Sequence, residues 1–174
     1  MSFTPYDASA PIFVKALTNM QAWLDKAVAD GKSEAALMEA QLAPDMWAFP
    51  AQYRRATEIA EGAVAKLAGV DAPAMGGADA TFADLKARCQ RAIDFIQSAP
   101  ASAFDGAETR PVRLRFPNGM GYEFVGADYL TGYVLPNFFF HVTTAYALLR
   151  ANGVVIGKPD FLAHLGRPIN MDAA

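Results

Sequence analysis

Cysteine is almost missing from this chain of 174 residues, which holds only Cys89. No disulfide can form within it, so stability must come from a packed core, and a reducing compartment is the natural expectation. Histidine is nearly as scarce, with His141 and His164 alone. Basic surplus is lacking too: 15 Lys and Arg stand against 18 Asp and Glu, a net charge of −3, with no Lys/Arg-rich run. That balance argues against a nucleic-acid partner, which usually selects a basic stripe. No G-x-S-x-G elbow is available for a serine nucleophile. The stretch Gly153–Lys158 is one residue short of a phosphate loop and meets Pro159 where Ser or Thr is required. Gly119-Met120-Gly121 has Phe124 where a dinucleotide loop needs its third glycine. The start, Met1-Ser2-Phe3-Thr4-Pro5, lacks the basic and apolar regions of a signal peptide, so the expected location is cytoplasmic.

What is present is apolar: 53% of the residues, enough for a globular chain with a full core. No linker or repeat divides it, which predicts one domain over residues 1–174. Ser9 and Pro11 open a first helix whose apolar positions Phe13, Leu17, Met20, Leu24 and Ala27 recur every three or four residues, with Gly31 at its end. Ser33 caps a short helix to about Gln41. A junction between Pro44 and Pro50 precedes a second long helix to Ala68, closed by Gly69. Residues 69–80 read as a loop, and Thr81 with Asp84 forms a capping box for a third long helix to Ser98. Apolar residues alternate at Val112, Leu114 and Phe116, then at Tyr122 and Phe124 beyond a Pro-Asn-Gly-Met-Gly turn, the pattern of a β-hairpin. The last long helix runs from about Asp128 to Asn152, with a kink or restart at Pro136, and the tail from Val154 reads as mostly irregular. The expected fold is all-α: an up-and-down four-helix bundle with a small β-hairpin before the last helix.

That last helix carries no Asp, Glu, Lys or Arg from Tyr129 to Leu149. Its length would suit a membrane span, but Thr131, Gly132, Pro136, Asn137, His141, Thr143 and Thr144 interrupt it and anchors are missing at both ends, so it reads as a buried helix. At about 100° per residue, Phe138, Val142, Ala145 and Leu149 cluster in one direction and His141 lies roughly 60–80° to one side, at the border of the core stripe. There it is either a half-buried histidine satisfied by one polar partner or a group facing a pocket. Ala145 stands one turn after it and Asn137 one turn before, so the paired-histidine spacing of a metal helix is missing. Asp45, beside Pro44, reads as a helix cap, and Cys89, at helical spacing from Leu85, Ile93 and Ile96, as a buried apolar residue. Phe140 points almost opposite Phe138, giving the helix a second apolar face that the hairpin, the tail or a second subunit must cover; a homodimer through apolar helix faces is the expectation.

Pro136-Asn137-Phe138-Phe139-Phe140-His141, Ala145-Tyr146, Leu149-Arg150, Gly153-Val154 and Gly157-Lys158 with Asp160-Phe161-Leu162 together resemble a bacterial domain-of-unknown-function family that is similar to the DinB-like and YfiT-like superfamily. Leu42-Ala43-Pro44-Asp45-Met46, with Phe49 and Gln52 downstream, extends the likeness to nearly the whole chain. The resemblance implies a four-helix bundle, often dimeric, whose relatives look like metal-dependent hydrolases or thiol-dependent transferases. Their site joins one histidine of the second helix to two histidines a turn apart on the last. Only His141 matches; Ala145 takes the place of its partner and the second helix has no histidine. The leading expectation is therefore a pocket near His141 with an incomplete metal triad, binding a small molecule or catalysing nothing, with Asp45, Gln52, Asn137 and Tyr146 as further pocket candidates. The alternatives are a metal-dependent hydrolase or transferase, in which His141 holds a divalent zinc or nickel with help from Asp45 and Gln52, and a dimeric interaction module.

Overall fold

The structure, a computed structural model, describes residues 3–74 and 76–171. Met1, Ser2, Met75 and positions 172–174 of the expected domain and N-terminal start lie outside the described residues. The chain is mostly helical. Four long helices, α1 (Ala10–Ala29), α3 (Phe49–Ala68), α4 (Phe82–Ser98) and α6 (Leu135–Ala151), are joined by shorter pieces. These are α2 (Glu34–Glu39), strands β1 (Pro111–Arg115) and β2 (Gly121–Val125), a single turn α5 (Gly126–Asp128), and α7 (Lys158–Phe161). Helix α1 packs on α4 and α6, and α3 packs on the same two helices.

The stripes read from the sequence are the faces that meet. Phe13, Leu17, Met20 and Leu24 of α1, Tyr53, Ala56, Ala60, Val64 and Leu67 of α3, Leu85, Cys89 and Ala92 of α4, and Phe138, Ala145 and Leu149 of α6 have no accessible surface. Each large apolar side chain so buried contributes about 1.5–3 kcal/mol against exposure. Phe13 meets Phe138 edge-on with ring centroids 4.8 Å apart. The fully buried Tyr53 phenol needs a partner, and it donates to the Met20 carbonyl at 2.9 Å.

The helix ends follow their caps with two exceptions. Ser33 Oγ accepts from Ala36 N, Thr81 and Asp84 close a reciprocal capping box, and Gly69 takes the left-handed conformation at φ 69°. Ser9, expected to cap α1, instead donates its hydroxyl back to the Pro5 carbonyl at 2.6 Å and leaves the α1 N–H groups alone. Asp45 is no cap either: the residue before α3 is Ala48, and Asp45 sits exposed in the preceding junction.

The expected hairpin forms, and its strands pair Val112 with Phe124 and Leu114 with Tyr122. After it the chain turns once through α5, then winds as a π-helical segment, Tyr129–Val134, before α6 begins with Pro136 in its first turn. The wider winding lies just where the proline N–H is missing, and the backbone stays helical through the junction into α6. No helix among the described residues is long and apolar enough to cross a membrane. Most of the described tail is irregular, as read, but it also forms α7 and a 3-10 turn, Ala163–Leu165, held against α1. Trp23 Nε1 donates to the Asp160 carbonyl at 3.2 Å, Asn19 Nδ2 to the Phe161 carbonyl at 2.8 Å, and Lys26 pairs with the Asp160 carboxylate. These anchors lie in α1 and became visible only once the chain folded back.

Gly126 and Gly132 separate two roles for glycine in this stretch. A Cβ on Gly126 would overlap the carbonyl of Ala107, whereas one on Gly132 would meet nothing within 4 Å. Gly126→Ala is expected to destabilise by about 1–3 kcal/mol through overpacking. Gly132→Ala is expected to stabilise by about 0.5–1 kcal/mol through lower chain entropy. Urea unfolding of the two variants checks the opposite signs.

Candidate functional site

The junction between α2 and α3 meets α6 at His141. Pro50 lies in the first turn of α3, where its missing N–H costs nothing, and Gln52 follows at the inner side, 1% exposed. Gln52 Nε2 donates to the Trp47 carbonyl at 2.8 Å, tying the junction to the helix. The other end of the same amide, Oε1, lies 2.8 Å from His141 Nδ1. Because the amide nitrogen is committed to a carbonyl, the oxygen must face the imidazole, and it can only accept. His141 therefore carries its proton on Nδ1, and Nε2 is a bare acceptor. Among the described residues no protein atom hydrogen-bonds Nε2.

The imidazole is 6% exposed at the edge of an open cleft of about 220 Å³, lined by Asp45, Met46, Trp47, Gln52, Phe140 and His141. The Trp47 indole lies parallel to the imidazole with centroids 6.0 Å apart, and Phe140 meets it edge-on at 5.2 Å. Behind Trp47 stands Arg55, its guanidinium carbon 5.8 Å from the indole centroid and its Nη1 paired with Glu58 at 2.7 Å. Burial pushes the His141 pKa down to about 4, and the Arg55 charge pushes it the same way. At neutral pH the ring is uncharged, so Nε2 stays available as an acceptor.

Of the residues expected here, Asp45, Gln52 and His141 share the cleft. Tyr146 does not. Five residues beyond His141 on α6, it points about 140° away, and packs against Trp23 and Phe161 at 5.5 and 5.7 Å. Asn137 is half-buried and does not line the cleft. Trp47 and Phe140 as walls and Arg55 as the nearby charge were not anticipated as site residues. The signal for Arg55 was its place one turn after Gln52 on the same helix. Phe140, expected to be covered, is 55% exposed. Cys89 lies apart from the cleft, fully buried, and burial pushes its thiol up to about 12, which makes it a packing residue rather than a nucleophile.

A family model described as a domain of unknown function, DUF1993, matches residues 5–162. The chain belongs to the DUF1993 family. It is also similar to a DinB family member protein from Shewanella denitrificans known from its crystal structure, with 29% identity, a TM-score of 0.83 and 95% of each chain covered. No curated protein matches it. This DUF1993 chain is thus DinB-like in fold, and the metal that the likeness implied can be weighed against its donors. His141 Nε2 and the Asp45 carboxylate face one cleft, while Gln52 Oε1 is taken by the imidazole. Among the described residues no three His, Cys, Asp or Glu side chains come together. Zinc or nickel held by protein needs at least three such ligands, so the residues do not fit a resident metal.

The depressed His141 pKa has a consequence for stability. In the unfolded chain the ring titrates near 6.5, in the folded chain near 4. The unfolded state binds the extra proton between those values, so this contribution is complete above pH 6.5 and falls as pH drops toward 4. Lowering pH from 7 to 5 is expected to remove about 2 kcal/mol that His141→Gln does not lose. Urea melts of both proteins at the two pH values, with imidazole NMR titration of the folded chain, measure it.

Proposed function

We propose that the four long helices form an up-and-down bundle of the DinB type, and that its junction end binds a small planar molecule without metal-dependent catalysis. The observation that carries this is the bare Nε2 of His141, fixed as an acceptor by Gln52 and set between two aromatic walls. A ligand with an N–H or O–H would donate to Nε2 while its ring lay along Trp47 or Phe140, gaining apolar burial and stacking together. The same ring is a poor general base, because a conjugate acid of pKa about 4 takes protons weakly at neutral pH. That and the two-donor metal set favour binding over hydrolysis or thiol transfer. The test is thermal shift with benzimidazole and indole as probes. Saturable stabilisation is expected, unchanged by EDTA and lost in His141→Phe and Trp47→Ala. Stabilisation that requires added zinc or nickel, with about one metal retained per chain, would instead establish the metal-dependent reading.

A second reading rests on exposure at the same place. Trp47 and Phe140 are each 55% exposed side by side, an apolar surface that a second copy of the chain would cover as a homodimer. Light scattering is expected to return a dimer mass that Phe140→Asp lowers to the monomer while circular dichroism is kept. A monomer mass at high concentration removes this reading.

A further inference from the structure

A second cavity lies on the far side of α6, between α1 and the folded-back tail. Ile12, Lys15, Ala16 and Asn19 recur every three or four residues and form one stripe of α1 along its floor. Phe139 of α6 makes one wall, and Phe161, Leu162 and His164 make the roof. It measures about 280 Å³, just below the roughly 300–1,000 Å³ typical of small-molecule sites, which suits a ligand of one ring. It is more enclosed than the cleft at His141.

Asn19 is the built-in polar group. It is 6% exposed, and its amide is used at one end only: Nδ2 holds the roof through the Phe161 carbonyl at 2.8 Å. Its Oδ1 has no protein partner among the described residues, yet it is not sealed from the cavity. A free amide oxygen on a side chain this buried, in a residue that lines the cavity, can accept from a bound donor. At the mouth, Lys15 brings a positive charge and His164 a ring N–H, and no acidic side chain lines the space. The roof that completes the site is pinned independently, by Trp23 donating to Asp160 and stacking on Phe161 with centroids 5.6 Å apart.

We infer that this cavity binds a small aromatic carboxylic acid carrying a hydroxyl. The ring packs between Phe139, Phe161 and Ala16, the hydroxyl donates to Asn19 Oδ1, and the carboxylate lies at the mouth on Lys15 and His164. The site uses none of the groups at the His141 cleft.

The experiment is a titration of the full chain with 4-hydroxyphenylacetate, followed by two-dimensional proton–nitrogen NMR. Saturable shifts are expected at the amides of Asn19, Phe161 and His164, with Gln52 and His141 unmoved. Phenylacetate, without the hydroxyl, and 4-methylphenol, without the carboxylate, should each bind about tenfold more weakly, as should Lys15→Gln toward the parent probe. Ile12→Trp, at the half-buried edge, should fill the space and abolish the shifts with the melting temperature kept. Absence of saturable shifts, shifts confined to Gln52 and His141, or unchanged affinity in Lys15→Gln would each overturn the assignment. Lys15 is exposed, so that variant tests the site even where Ile12→Trp fails to fold.

Discussion

The arrangement of this protein depends on the need to bury α6. The segment from Tyr129 to Leu149 has no charged residue, and a helix that apolar cannot stand at a surface on more than one side. Helices α1 and α3 flank it, and Phe138, Val142, Ala145 and Leu149 are sealed between them. The pieces before and after the helix cover what those two leave. Tyr129 and Tyr133 stack with centroids 6.0 Å apart under Phe124 of the hairpin, and Tyr146 is covered by Trp23 and Phe161 where the tail returns. Phe140 is the residue this scheme leaves out, and the cleft at His141 lies beside it.

One amide then fixes the chemistry at that cleft. Gln52 spends its N–H on a backbone carbonyl and its oxygen on His141, so the histidine has a single tautomer and one free nitrogen. A carboxylate in its place would hold the ring charged and raise its pKa. A neutral amide lets burial and Arg55 lower it. The fold of this DUF1993 chain is DinB-like, and on its α6 the imidazole of His141 is a neutral hydrogen-bond acceptor at neutral pH.

Much of the frame was legible because helical period and caps are local. Phe13 to Ala27, Tyr53 to Leu67 and Leu85 to Ile96 marked their buried faces by spacing, and Thr81 with Asp84, Ser33 and Gly69 marked ends. His141 was placed at the edge of the core stripe by arithmetic alone, and Gln52 and Asp45 reached the same site through a family likeness. The rest depended on contacts distant in sequence. Ser9 looked like a cap, accepting from a helix N–H, but its hydroxyl instead donates backwards to the Pro5 carbonyl in the preceding turn. The single turn α7 within the tail is too short for a period to reveal it, and its order comes from Asn19, Trp23 and Lys26, 134 to 142 residues earlier. Tyr146 was drawn to the site by its motif, although the helical turn carries it to another face.

Cys89 gives the fold an internal reporter. It is the only thiol in the chain, it lies fully buried on the inner face of α4, and burial keeps it protonated. A thiol-reactive reagent can reach it only when α4 separates from its neighbours, because the thiolate that reacts forms only in water. The rate of alkylation of the native protein is therefore a clock for opening of the core, readable without any engineered label.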